Sequence, residues 1–266
     1  MPQPGDRDSQ WIRGFRTRHE DAPLRLLCFP HAGGSATYYS PLANRIGPAA
    51  DVRAVQYPGR QDRRSEAPAR SIDELADRVV AELKPWTDRP LAFFGHSMGA
   101  VVAYEVARRL EERTGTAPIG LMVSGRRAPS VVVGERVHLR DDAGLIADVR
   151  ELTGTDDGLL DDEEVVRMIL PALRADYTAA ETYRHRAGPE PRCPIAALVG
   201  EDDSRALQDH VRAWARHTTG TFDLHVFPGG HFYLGDQWEA VGDRVRACLT
   251  AFAWNHSGRR DIAPIP

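Results

Sequence analysis

The sequence predicts an α/β fold: a mostly parallel central sheet flanked by helices, with an inserted helical segment. Three observations lead there. Short apolar runs recur at residues 24–29, 52–56, 91–94, 120–124, 195–199 and 222–227, most of them followed by Gly or Pro and then by a helix-like stretch. Residues 71–86 place Ile72, Leu75, Ala76, Val79, Val80 and Leu83 on one face, as a helix does when one side packs on a sheet. Strand and helix alternation of this kind buries a parallel sheet between two helical layers.

Taken in order, the first twenty residues are polar and expected to be loose, like the Pro-rich tail after Trp254. The run at 91–94 leads through Gly95-His-Ser-Met-Gly99 into a helix-like stretch at 100–110. Between residues 132 and 191 no strand candidate occurs. Short helices are expected there instead, separated by Gly154, Gly158 and Pro171. Asp161 and Glu164 have capping-box spacing, and Pro171 is suited to end one helix and start the next. So long a connection in a compact sheet protein is commonly functional, and it reads as a lid. The expected organisation is therefore a core at 22–131 and 189–255, a helical lid at 132–188, and flexible ends at 1–21 and 256–266.

Composition narrows the function classes. A chain of 266 residues with 42% hydrophobic and 27% charged residues is an ordinary globular sequence. Its net charge of -4 argues against a general electrostatic grip on nucleic acid. No stretch approaches the ~20 apolar residues of a membrane span, and the N-terminus has no apolar leader. Cys28, Cys193 and Cys248 lie far apart and are odd in number, which suits a reducing cytoplasm better than a disulfide framework. Neither H-E-x-x-H nor paired-cysteine spacing is present, nor a phosphate-binding glycine loop, so no metal and no bound cofactor are expected.

The chemistry concentrates at strand ends. In Gly95-His-Ser97-Met-Gly99 a serine on a tight strand-to-helix turn projects its hydroxyl above the sheet, where the helix N-terminus favours developing negative charge. A serine hydroxyl needs a base, and the base needs a carboxylate to fix its tautomer. Downstream, the run at 195–199 ends in Gly200-Glu-Asp-Asp203, and the last run ends in Pro228-Gly-Gly-His231. The chain order Ser, Asp, His is that of α/β hydrolases. Asp203 is favoured as the acid, three positions after the strand-ending glycine, with the adjacent Asp202 as the alternative. An oxyanion hole needs two backbone N–H donors. Met98, following the serine, offers one, and Ala32 in the loop Phe29-Pro-His-Ala-Gly-Gly34 offers the other. His31 in that loop reads as ordering or packing rather than as a base.

The ordered set Phe29-Pro-His-Ala-Gly-Gly-Ser35, Gln56-Tyr-Pro-Gly-Arg60, Gly95-His-Ser-Met-Gly-Ala100, Ser124-Gly-Arg-Arg-Ala-Pro129, Gly200-Glu-Asp-Asp203 and Phe227-Pro-Gly-Gly-His-Phe232 resembles the type II thioesterases that accompany polyketide and nonribosomal peptide synthases. The resemblance runs from about residue 24 to residue 253. It implies an α/β-hydrolase core with a helical lid, and hydrolysis of acyl groups from the phosphopantetheine arm of acyl or peptidyl carrier protein domains of a megasynthase. Carried over by position, Ser97 is the nucleophile, Asp203 the acid, His231 the base, and Ala32 and Met98 the oxyanion donors. Leu173-Arg-Ala-Asp176-Tyr and Glu181-Thr-Tyr183 resemble the family's lid.

Met168, Leu170, Leu173 and Tyr177 would line an acyl pocket or form the lid's own core. Arg60, Arg63, Arg64, Arg126 and Arg127 would either receive an acidic carrier protein or be solvated surface charge. Rival readings are a medium-chain fatty acyl thioesterase, a malonyl-type acyltransferase and an inactive hydrolase fold that only binds. The late Gly-Glu-Asp-Asp and Gly-Gly-His elements disfavour the acyltransferase, and the complete triad disfavours the inactive fold.

Overall fold

The computed structural model describes residues 9–16, 19–153 and 159–260. Each of the six apolar runs forms a strand: β2 (Arg25–Phe29), β3 (Asp51–Val55), β4 (Leu91–His96), β5 (Gly120–Ser124), β6 (Ile195–Gly200) and β7 (Phe222–Phe227). A seventh, β1 (Ile12–Gly14), lies in the stretch expected to be a loose terminus. It pairs antiparallel with β3, burying Ile12. Three residues are too few to show a periodicity, so nothing local announces this edge strand. The sheet order is β1-β3-β2-β4-β5-β6-β7, with every pair beyond β1–β3 parallel. The chain reverses its direction across the sheet between β2 and β4, the crevice where ligands of open parallel sheets bind.

Eight α-helices accompany the sheet among the described residues: α1 (Ser40–Ile46), α2 (Ile72–Leu83), α3 (Met98–Thr114), α4 (Asp142–Thr153), α5 (Glu163–Thr182), α6 (Gln208–Arg212), α7 (Tyr233–Asp236) and α8 (Trp238–Arg260). Side chains alternate across each central strand. Leu27, Phe29, Phe93, Leu121 and Val123 pack with α2 and α3, whereas Leu26, Cys28, Ala92, Phe94 and Met122 pack with α1 and α8. All six apolar residues expected on one face of α2 are buried, and Ser71 caps that helix by accepting the Glu74 N–H at 3.1 Å. Helix α8 continues to Arg260, past the point where the tail was expected to loosen. The first proline of the tail is Pro264, so nothing in 255–260 interrupts the helix. The three cysteines are free and buried, and no described helix is long and apolar enough to cross a membrane.

Between β5 and β6 the described chain forms helices and no strand. Two local expectations change there. Asp162, not Asp161, is the N-cap of α5, accepting the N–H groups of Glu164 at 2.8 Å and Val165 at 3.3 Å. Pro171 does not divide the segment but lies inside α5. Its missing N–H costs one helical hydrogen bond, yet burial of Ala172, Leu173, Ala175 and Ala179 on the far side holds the helix through it. Gly154 and Gly158 lie outside the described residues.

One close approach sets the geometry of the crevice. A Cβ on Gly99 would lie 2.0 Å from the Phe29 oxygen and 2.6 Å from the Pro30 oxygen, so the first turn of α3 rests on the end of β2 with no room for a side chain. Gly99→Ala should therefore cost at least about 3 kcal/mol in urea denaturation, since only backbone could move aside. Gly235→Ala, with open space around its Cβ, should change the midpoint little.

Candidate active site

Ser97 stands between β4 and α3 with φ 53° and ψ -117°. An L-residue rarely adopts this conformation, and holding it costs on the order of 1–3 kcal/mol. The fixed surroundings hold it: the Ser97 N–H donates to Ser124 O at 2.8 Å, and a Cβ on Gly95 would meet Gly99 O at 2.3 Å. The turn lifts the hydroxyl to 3.0 Å from His231 Nε2. His231 Nδ1 lies 3.0 Å from each carboxylate oxygen of Asp203. Asp203 is 3% exposed, and its Oδ1 also accepts the N–H groups of Arg205 at 2.9 Å and Ala206 at 3.1 Å. The neighbouring Asp202 is exposed.

Ala32 and Met98 line the same cavity as Ser97 and His231. Met98 is the first residue of α3, whose leading N–H groups have no partner within the helix. Among the described residues, neither the Ala32 N–H nor the Met98 N–H donates to another group. Ala32 sits in a turn closed by the Gly34 N–H donating to His31 O at 3.0 Å, with φ +76° at Gly33, the positive angle that a type II turn requires at its third residue.

Three histidines crowd this crevice. His31 packs edge-on against Tyr38 and Phe232, with ring centroids at 4.5 and 4.9 Å, as a packing role predicts. His96 is fully buried, its centroid 5.2 Å from that of His231 and its Nδ1 3.0 Å from Ser124 Oγ, which in turn lies 2.7 Å from Tyr233 OH. Burial, then the neighbouring His231, pushes the His31 pKa down to about 3 and that of His96 well below its ordinary value.

The cavity beside Ser97 holds about 60 Å³, with Val149, Leu152, Tyr177 and Ala180 contributing apolar wall. Of the four residues weighed for that wall, Tyr177 reaches it; Leu173 and Leu170 pack with Val137, Leu145 and Ile146 inside the helical segment, and Met168 is exposed. The arginines weighed as a docking surface are mostly spent. Arg60 is buried against Asp176, Arg63 against Glu66 with its guanidinium 4.4 Å over the Trp11 ring, and Arg127 against Glu135. Arg126 lines the cavity, and Arg64 is exposed. Charge counted along a loop could not distinguish these fates.

Sequence reasoning missed Asp176 as a partner of Arg60, since 116 positions separate them. It also missed a cluster of His185, Glu190 and His217, whose polar atoms lie within 4.8 Å of one another. Tyr104 OH donates to Glu190 and lies 3.1 Å from His185 Nε2 and 3.3 Å from His217 Nδ1, tying α3 to the chain beyond α5.

The two displaced histidine pKa values fix an acid response. Between pH 6.5 and the lowered folded value, the unfolded chain binds a proton that the folded chain refuses, so stability present above pH 6.5 is lost as the pH falls. Each excluded proton removes about 1.4 kcal/mol per pH unit. The urea midpoint should fall steadily from pH 6.5 to 4.5, and His96→Asn should flatten that fall.

Residues 24–249 match the family described as "Thioesterase domain". The chain is 51% identical over 232 residues to "Thioesterase PikA5" of Streptomyces venezuelae, covering 87% of this chain and 82% of that protein. Its fold matches the type II thioesterase BorB from the borrelidin biosynthetic cluster with a TM-score of 0.84 at 50% identity, covering 91% of this chain and 98% of that one. It likewise matches the RedJ thioesterase from the prodiginine pathway of Streptomyces coelicolor, with a TM-score of 0.80 at 38% identity over 87% and 91% of the two chains. A domain match that runs from the edge of β2 into α8 places the chain in the thioesterase family.

Proposed function

We propose that this enzyme is a type II thioesterase that releases short, aberrant or stalled acyl groups from the phosphopantetheine arm of acyl or peptidyl carrier domains in polyketide or nonribosomal peptide biosynthesis. The observation that carries the mechanism is the unbroken contact from Asp203 through His231 to Ser97, each step at 3.0 Å, beside two unspent N–H groups. The likeness to BorB, a type II thioesterase from a biosynthetic cluster, and to RedJ, from a biosynthetic pathway, supports the setting.

Ser97 Oγ attacks the thioester carbonyl carbon while His231 Nε2 takes its proton. The carbonyl oxygen becomes an oxyanion, which the Ala32 and Met98 N–H groups stabilise as charge develops. Collapse expels the phosphopantetheine sulfur, and His231 returns the proton to it, leaving an acyl-serine. Water then attacks the acyl carbon with His231 taking its proton, and as the tetrahedral adduct collapses His231 returns that proton to Ser97 Oγ, releasing the carboxylic acid and restoring the serine hydroxyl. Asp203 remains ionised, fixing the tautomer of His231 and stabilising the imidazolium that forms twice. These steps use no cofactor of the enzyme's own. The helical stretch at 132–188 serves as the lid over the acyl group, and three buried thiols suit a cytoplasmic setting.

Hydrolysis of a panel of acyl groups, each presented on a phosphopantetheinylated carrier and as a small thioester, tests this reading. Broad release of two- to four-carbon groups from the carrier is expected, with Ser97→Ala lowering turnover by at least about 10⁴-fold while the urea midpoint is kept. Turnover retained in Ser97→Ala would remove the acyl-serine mechanism, and a sharp preference for one medium or long chain would favour a fatty acyl thioesterase.

A further inference from the structure

The helical segment does more than cover the cavity: it reaches into the loop that carries Ala32. Asp176, on the buried side of α5, is 1% exposed and lies against two partners that both belong to the core. Its Oδ2 accepts the Gly33 N–H at 2.8 Å. Both of its oxygens receive Arg60, at 2.6 Å from Nη1 and 2.9 Å from Nη2. Arg60 is itself held at the far side, donating to Pro58 O at 3.1 and 3.2 Å and to Gly34 O at 3.3 Å. One helical turn before Asp176, Leu173 lies over the same glycine, so that a Cβ on Gly33 would come within 2.9 Å of Leu173 Cδ1. Helix α5 thus grips the 31–34 turn by an ion-paired carboxylate and by apolar packing.

The Gly33 N–H belongs to the central peptide of that turn. A type II turn passes to type I when this peptide rotates, changing ψ at Ala32 and φ at Gly33. Rotation would carry the Gly33 N–H away from Asp176 and disturb the adjoining His31–Ala32 peptide, whose N–H is the donor assigned above. We propose that Asp176, oriented by Arg60, is a positioning residue that holds the 31–34 turn in the form that aims the Ala32 N–H at the reacting carbonyl oxygen, so that the oxyanion site is complete only with α5 seated. This rests on the reading of Ser97 and Ala32 under Proposed function. A carboxylate is a stronger acceptor for an amide than a neutral side chain of that size, and Arg60, bonded to both oxygens, fixes where they point.

Two double variants separate positioning from bulk stability, because each removes the whole buried ion pair rather than one half of it. Asp176→Asn with Arg60→Met keeps an oxygen acceptor for the Gly33 N–H, whereas Asp176→Leu with Arg60→Met removes it. With propionyl-pantetheine as substrate, the Asn/Met protein should lose no more than about fivefold in kcat. The Leu/Met protein should lose about 100-fold in kcat with KM changed less than threefold, the signature of a misaimed transition-state donor. Asp176→Ala is measured in parallel with and without formate, and at least about a tenfold rise in kcat with formate is expected as the anion takes the vacated place. Equal kcat in the two folded double variants, or no rescue by formate in the alanine protein, overturns the proposal. Turnover of the same thioester by Ser97→Ala would instead overturn the reading of the site on which it rests.

Discussion

The contact between the first turn of α3 and the end of β2 governs the rest of this molecule. Phe29 O accepts the Tyr39 hydroxyl at 2.7 Å and at the same time faces Gly99 across a gap that admits only hydrogen. Because β2 and β4 are neighbours in the sheet, this contact brings the serine turn of one strand against the glycine loop of the other. The positive φ of Ser97 follows, since a helix that starts so close to the neighbouring strand leaves the chain one residue in which to turn. The strain is stored at the residue whose raised hydroxyl lies 3.0 Å from His231 Nε2.

Around that point the protein arranges charge sparingly. Burial holds the pKa values of His31 and His96 down, so neither histidine puts a standing cation beside His231. Asp203 is screened from solvent, and its Oδ1 accepts two backbone N–H groups. The arginines near the cavity are paired with Glu135, Asp148 or Asp176, apart from Arg126, which has no ion pair among the described residues. The Arg126 guanidinium is pushed down to about 10 by burial and the adjacent Arg127, against the opposing pull of Glu135, Tyr183 and Glu181.

How much of this was legible in the sequence differs by scale. Strand runs and the apolar face of α2 showed directly, because burial on one face or both writes a period into the residues. Ser97, Asp203 and His231 could be named because each follows a strand and sits in a short glycine-marked motif, and parallel strands bring their C-terminal ends to one edge. Strand β1 was invisible for want of length. Pro171 misled because a local rule was outweighed by packing further along α5. The fate of each arginine depended on partners scores of residues away.

The sequence by itself determined the layers, the order of the strands' chemistry and the identity of the residues at their ends, since these depend on patterns within about ten neighbours. Only the tertiary structure decided which carboxylate faces the histidine, which arginines are buried, and that Asp176 of α5 accepts the Gly33 N–H of the turn bearing Ala32. Those choices turn on distances of about 3 Å between groups that the chain separates by tens of residues, and hydrogen bonds and ion pairs of that kind leave no period in the sequence.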